Sequence, residues 1–114
     1  MKTDLTAYLD QIDLLNETVR QLEKDFAGLK LKIHFSGKPE LAYDELFSQV
    51  LPHIDTLLKE NYSTFYNLMY RIDISEDQIK KAMGKAIDKT FSEIITDLIL
   101  KRELLKVVMR KKYS

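Results

Sequence analysis

The last third of the chain constrains the fold most, because it reads as one long helix with apolar side chains on two opposite faces. At about 100° per residue, Phe91, Ile94, Ile95, Leu98, Leu105 and Met109 form one broad stripe, with Arg102 near its centre. Leu100, Leu104 and Val107 cluster on the far side. A surface helix needs only one apolar stripe. A second stripe calls for a second neighbour, within the fold or on another copy of the chain, so Leu100, Leu104 and Val107 are a candidate interaction face. Arg102 on the stronger stripe must be paired, snorkel to the edge or serve a ligand. A buried pair with an acid of another element is the leading expectation, and an anion site is the second.

The segments before it also read mostly as helix. Leu5, Tyr8, Ile12, Leu15, Val19, Leu22 and Phe26 alternate spacings of three and four, which predicts a helix from about Thr3 to Ala27 in a bundle or a coiled coil. Thr3 suits its N-cap and Asp4 the positive end of its dipole. After Gly28, residues Leu29 to Phe35 alternate strictly and Ser36-Gly37-Lys38-Pro39 closes them as a turn, the signature of a strand. A lone strand leaves its backbone unpaired, and the only other alternating stretch is Tyr70 to Ile74. The heptad also runs on through Leu29 and Ile33, so a longer first helix competes. The reading adopted is a short extended segment near residues 29–35 packed on helices.

Pro39 suits the first turn of a second helix reaching about Glu60, with Pro52 kinking or splitting it near Val50. Asn61 or Ser63 can cap a short third helix. Ser75 with Gln78 forms a capping box that starts another at about Glu76, which Gly84 weakens or ends. The final helix is expected from about Lys85 to Lys111. The fold class is therefore mostly α: a single domain, residues 1–114, built as a compact bundle of four to five helices with a kinked second helix.

Several chemistries are missing their residues. With no cysteine there are no disulfides, thiolate metal sites or thiol nucleophiles, which fits a reducing cytoplasm. No apolar h-region opens the chain, and the longest apolar runs are three residues, such as Leu98-Ile99-Leu100. Neither secretion nor a membrane span is expected, and the sequons at Asn16 and Asn61 read as chance matches. Three glycines cannot write a phosphate-cradling loop. His34 lies among Lys30 and Lys32, a poor place for a cation, and His53 shares no helix face with Asp55. Without a Glu-x-x-His pair the di-iron pattern is absent, and no metal or cofactor is expected. Ser36, Ser48 and Ser63 have no nucleophile signature. The carboxylate pairs among Asp10, Asp13 and Glu17, and between Glu93 and Asp97, read as solvated helix surface, with Asp97 preferring Lys101. Tyr62, Tyr66 and Tyr70 recur every four residues beside Phe65 and Met69, either as the edge of a core or as the wall of a ligand pocket.

Charge divides the chain. Residues 1–60 carry 7 basic and 11 acidic side chains and residues 61–114 carry 11 and 7, so −4 and +4 sum to zero. The acidic first helix and the basic last helix are expected to be neighbours. The C-terminus holds Lys101, Arg102, Lys106, Arg110, Lys111 and Lys112 against Glu103 alone. The negative end of the helix dipole explains such a patch without a ligand. The alternative is that Lys106, Arg110, Lys111 and Lys112 contact nucleic-acid phosphates or another anion, but the aromatic interleaving of single-strand binders is missing.

The stretch Phe65-Tyr66-Asn67-Leu68-Met69-Tyr70-Arg71-Ile72-Asp73-Ile74-Ser75-Glu76, with the later run Thr96 to Lys106, resembles a family of small uncharacterised bacterial proteins. The resemblance covers roughly the C-terminal half. It implies a bacterial cytoplasmic helical protein and carries over no functional residue. The functional expectation is a non-enzymatic protein that binds itself, as a homo-oligomer, or another protein. A nucleic-acid or anion-binding module at the basic C-terminus is the first alternative. The second is a small enzyme or ligand binder with a pocket near Tyr62, Tyr66 and Arg102.

Overall fold

The computed structural model describes residues 12–112. Five α-helices follow one another among them: α1 (Ile12–Asp25), α2 (Ala42–Glu60), α3 (Tyr62–Ile72), α4 (Glu76–Lys85) and α5 (Phe91–Lys112), with a 3₁₀ turn at Pro39–Leu41 before α2. No strand occurs among the described residues. The expected Thr3 cap and the first heptad residues lie outside them. None of these helices is long and apolar enough to cross a membrane.

α5 is the centre of the bundle and packs against α1, α2, α4 and, at fewer points, α3. The core between them is aliphatic and aromatic: Leu22 and Phe26 of α1 and its end, Val50 and Ile54 of α2, Ile72 of α3, and Ile95 and Ile99 of α5 are all fully buried. Burying each large side chain of this kind contributes about 1.5–3 kcal/mol.

Local chemistry sets the helix ends. The Asn61 side chain accepts from Thr64 N–H and caps α3. At the other end Asp73 takes a left-handed φ of 71°. Its N–H donates to the Tyr70 carbonyl and Ile74 N–H to the Met69 carbonyl, a Schellman closure, with Ile74 and Met69 both buried. Ser75 and Gln78 form the expected capping box. A second such box opens α5: Thr90 N–H donates to Glu93 Oε1 and Glu93 N–H to Thr90 Oγ1. The last helix therefore starts at Phe91 rather than Lys85. Gly84 stays inside α4, and α2 runs through Pro52 without splitting.

The alternating segment is extended without being a strand. Leu31 and Ile33 are buried while Lys32 and His34 face outward, as alternation requires. Helix side chains take the place of a partner strand. Ile33 N–H donates to Glu23 of α1 at 3.0 Å, and His34 N–H donates to Gln49 Oε1 of α2 at 2.8 Å. Gln49 Nε2 donates back to the His34 carbonyl at 2.9 Å, and Ser36 N–H donates to Glu45 at 2.9 Å. These bonds replace part of a sheet's ladder. Gly28, at φ +90°, makes the turn from α1 into this segment.

The two apolar faces of α5 both find neighbours inside the chain. Leu100, Leu104 and Val107 are buried, the last two in a small cluster with Leu14 of α1 and Val108. The face expected to receive a second copy is thus covered by the fold itself. On the other side Ile94 and Leu98 face α4. Toward the C-terminus that side opens, leaving Met109 exposed.

Candidate functional site

The most deeply buried stripe of α5 runs through Ser92, Thr96, Ile99, Glu103 and Val107, steps of three and four on one helix face. Ser92 Oγ donates to Asp55 of α2, and Thr96 Oγ1 donates to the Ser92 carbonyl. Glu103 is 0% exposed. α1 turns its own polar residues, Thr18, Gln21 and Asp25, inward. A polar seam thus joins α1 to α5 beside the apolar core.

Lys106 Nζ holds this seam, lying 3.2 Å from Asp25 Oδ2 and 3.2 Å from Glu103 Oε1. Gln21 Nε2 donates to Asp25 at 3.1 Å, and Arg71 of α3 donates to the Asp25 carbonyl at 2.8 Å. Neither Glu103 oxygen has an aligned donor, and an ionised carboxylate so placed is costly. A retained proton resolves this. Burial first, then the hydrogen bond and charge of Asp25, push the Glu103 carboxyl up to about 8, against the opposing pull of Lys106. Burial raises Asp25 as well. The hydrogen bond from protonated Glu103, with Gln21 and Lys106, outweighs that and holds Asp25 below the usual value. Near neutral pH these opposite shifts favour a protonated Glu103 beside an ionised Asp25.

The seam accounts for much of the basic C-terminus. Besides Lys106, Arg110 donates to Gln21 Oε1 at 3.1 Å and Lys111 pairs with Glu17 at 3.3 Å. The acidic first helix and basic last helix are neighbours through these contacts. Arg102, expected to carry the buried charge, lies midway along α5 at the edge of the core. Its side chain is 29% exposed and it pairs at 2.7 Å with Asp73, which is 78% exposed. The fully buried titratable residue is the next one, Glu103. Sequence reasoning missed it by counting it as the lone acid of a basic surface. The signal was the spacing of Ser92, Thr96 and Glu103 with Ile99 and Val107, which places them all on one stripe. Asp97 pairs with Lys101 at 2.8 Å, as expected, and also accepts from Tyr43 at 2.5 Å. Among the described residues no group of three or more His, Cys, Asp and Glu side chains could hold a metal.

Of the residue groups singled out in the sequence, the tyrosines define the accessible site. Tyr62, Tyr66 and Tyr70 lie one helical turn apart on α3 and are exposed, Tyr70 at 87%. They border a groove of about 420 Å³ between α3 and α4. Phe65, Met69 and Phe91 form its floor, with the Phe65 and Phe91 ring centroids 6.4 Å apart. Ile79 and Met83 of α4 supply the far wall, and Met83 is 45% exposed. At the rim the Tyr66 hydroxyl donates to Glu76 at 3.1 Å. This bond and the Glu76 charge raise the tyrosine's pKa. Lys80 is the cation on the lining. Arg102 is not part of the groove lining, so the expected pairing of tyrosines and Arg102 in one pocket does not form. Comparison of the chain with known protein families, curated proteins and solved structures gives no match.

Met83 was not foreseen as part of a site. Its signal was the run Ile79, Met83, Ile87, which places apolar side chains four residues apart through α4 and just past it. Ile87 is 89% exposed. Among the described residues, five of the eight exposed large hydrophobic residues, Tyr62, Tyr66, Tyr70, Met83 and Ile87, fall between residues 62 and 87. Apolar exposure is therefore concentrated on the α3–α4 side. Such concentration marks interaction surfaces more often than scattered exposure does.

Proposed function

We propose that the protein is a self-associating helical interaction protein whose symmetric contact is the Tyr62–Tyr66–Met83 groove. The observation that carries this reading is the exposed aromatic and methionine lining of that groove. Tyrosine and methionine are enriched at interfaces because they offer large contact area with adaptable polar tips or flexible stems. A second copy is favoured as occupant by the rim, which carries both Glu76 and Lys80. Across a twofold axis a patch meets itself, so each carboxylate can face the other copy's ammonium. Zero net charge leaves no long-range repulsion to oppose the encounter. The acid pair in the α1–α5 seam does not suit work on a dissolved substrate, because Glu103 is fully enclosed.

Sedimentation equilibrium across the micromolar to millimolar range tests this. The wild type is expected to move from monomer to dimer as concentration rises. The Tyr70→Glu/Met83→Glu variant alters only exposed side chains and is expected to stay monomeric with an unchanged circular dichroism spectrum. A wild type that remains monomeric throughout, or a variant that dimerises equally well, would overturn the proposal.

A further inference from the structure

A second groove lies on the opposite flank of α4. It has a volume of about 460 Å³ and separates α4 from the first half of α5. Its apolar surface comes from Ala82, Ala86, Ile94 and Leu98, of which only Ile94 is buried. Its charge comes from Lys81, Lys85, Lys89 and Lys101 against Asp97 alone, +3 for the lining residues. Asp97 is already held by Lys101 and by the Tyr43 hydroxyl. Lys81, Lys85 and Lys89 have no ion-pair partner among the described residues, and all three are exposed. This differs from the C-terminus, where Lys106, Arg110 and Lys111 are engaged by α1.

Helix α4 itself has no buried residue. Lys85, in the last turn of α4, suits the negative end of its dipole, but no carboxylate pairs with it or with Lys81 and Lys89 among the described residues. Lys81 and Lys85 lie about one helical turn apart on α4, and Lys89 follows in the turn that leads into α5. A matching ligand needs negative charges at similar spacing and an apolar side for Ala82, Ala86 and Leu98. A polyphosphate has the charges but not the apolar side. A helix with carboxylates every four residues and leucines between them has both, and it would dock as amphipathic helices dock in grooves elsewhere.

We propose that the α4–α5 groove binds an acidic amphipathic helix of a partner protein, with Lys81, Lys85 and Lys89 meeting its carboxylates. This site is separate from the tyrosine groove and does not depend on self-association. Charge pairs of this kind are exposed, so they contribute mainly to rate of encounter and to register, and binding weakens as salt rises.

The test is titration calorimetry with a synthetic helical peptide carrying glutamates at four-residue spacing and leucines between them. A scrambled peptide of the same composition and inorganic tripolyphosphate are run beside it. Binding of the patterned peptide in preference to the scrambled one is expected. Lys81→Glu/Lys85→Glu should weaken it about tenfold or more, from two lost surface pairs and two new repulsions, with an unchanged circular dichroism spectrum. Tyr70→Glu/Met83→Glu should leave it unchanged, which separates this result from the dimer proposal. Equal binding of both peptides, no binding, or binding that survives the lysine reversals would overturn the proposal. So would tripolyphosphate binding more tightly through the same lysines, which would assign the groove to a phosphate ligand. Loss of the concentration-dependent dimer in Lys81→Glu/Lys85→Glu would overturn it in favour of a second copy as occupant.

Discussion

Glu103 shows how one residue can act as a core side chain while carrying a titratable group. Its native carboxyl titrates at about 8, against an ordinary value of 4.5. Between those values the native protein keeps a proton that the unfolded chain has released. Stability therefore falls as pH rises from about 4.5 to about 8, by up to about 1.4 kcal/mol per pH unit. Asp25 works in the opposite sense. Its native pKa lies below the ordinary 3.8, so its contribution is present above that value and is lost as pH falls through the native one. Urea unfolding across this range is expected to show the wild type losing stability as pH rises. Glu103→Gln keeps a donor toward Asp25 without titrating, so its curve should be flatter and cross above the wild type near neutral pH. Parallel curves would mean that Glu103 is ionised in the fold.

At the scale of elements, the extended segment depends on side chains from helices rather than on a ladder. Gln49 bonds the N–H and the carbonyl of His34 at once. Gln49→Ala is expected to cost about 1–2 kcal/mol and to speed amide exchange at His34, while α2 amides on the far side keep their protection. Exchange at His34 no faster than in wild type would show that burial of Leu31 and Ile33 holds the segment without this bond. The alternation of Leu31 and Ile33 was legible in the sequence, as were the Ser75–Gln78 capping box and the Asn61 cap. Glu23, Gln49 and Glu45 were not legible as the segment's partners, because side-chain acceptors carry no periodicity. The polar seam escaped for a related reason. Hydrophobic periodicity assigns Ser92, Thr96 and Glu103 to the solvent side, which shifts the inferred core face of α5 toward Phe91, Leu98 and Met109. The second capping box, Thr90 with Glu93, could be read from residue types alone and was passed over because the preceding residues also favour helix.

For the whole molecule, most of the apolar surplus of α5 is covered internally, by α1 and α2 on one face and in part by α4 on the other. The unpartnered apolar surface has moved to α3 and α4, elements whose outward tyrosines looked like the edge of a core. Helix α4 separates two accessible grooves of opposite character, one aromatic and one cationic. A chain with no net charge and such a surface is suited to contacts rather than to isolation. Hydrogen–deuterium exchange at low and high protein concentration tests this most directly, because it reports which segment a second copy covers. We expect added protection at high concentration in residues 62–87 and none in residues 100–107, which the fold already buries. Protection gained along α5 instead, or no change with concentration, would contradict the assignment of the interface to the tyrosine groove.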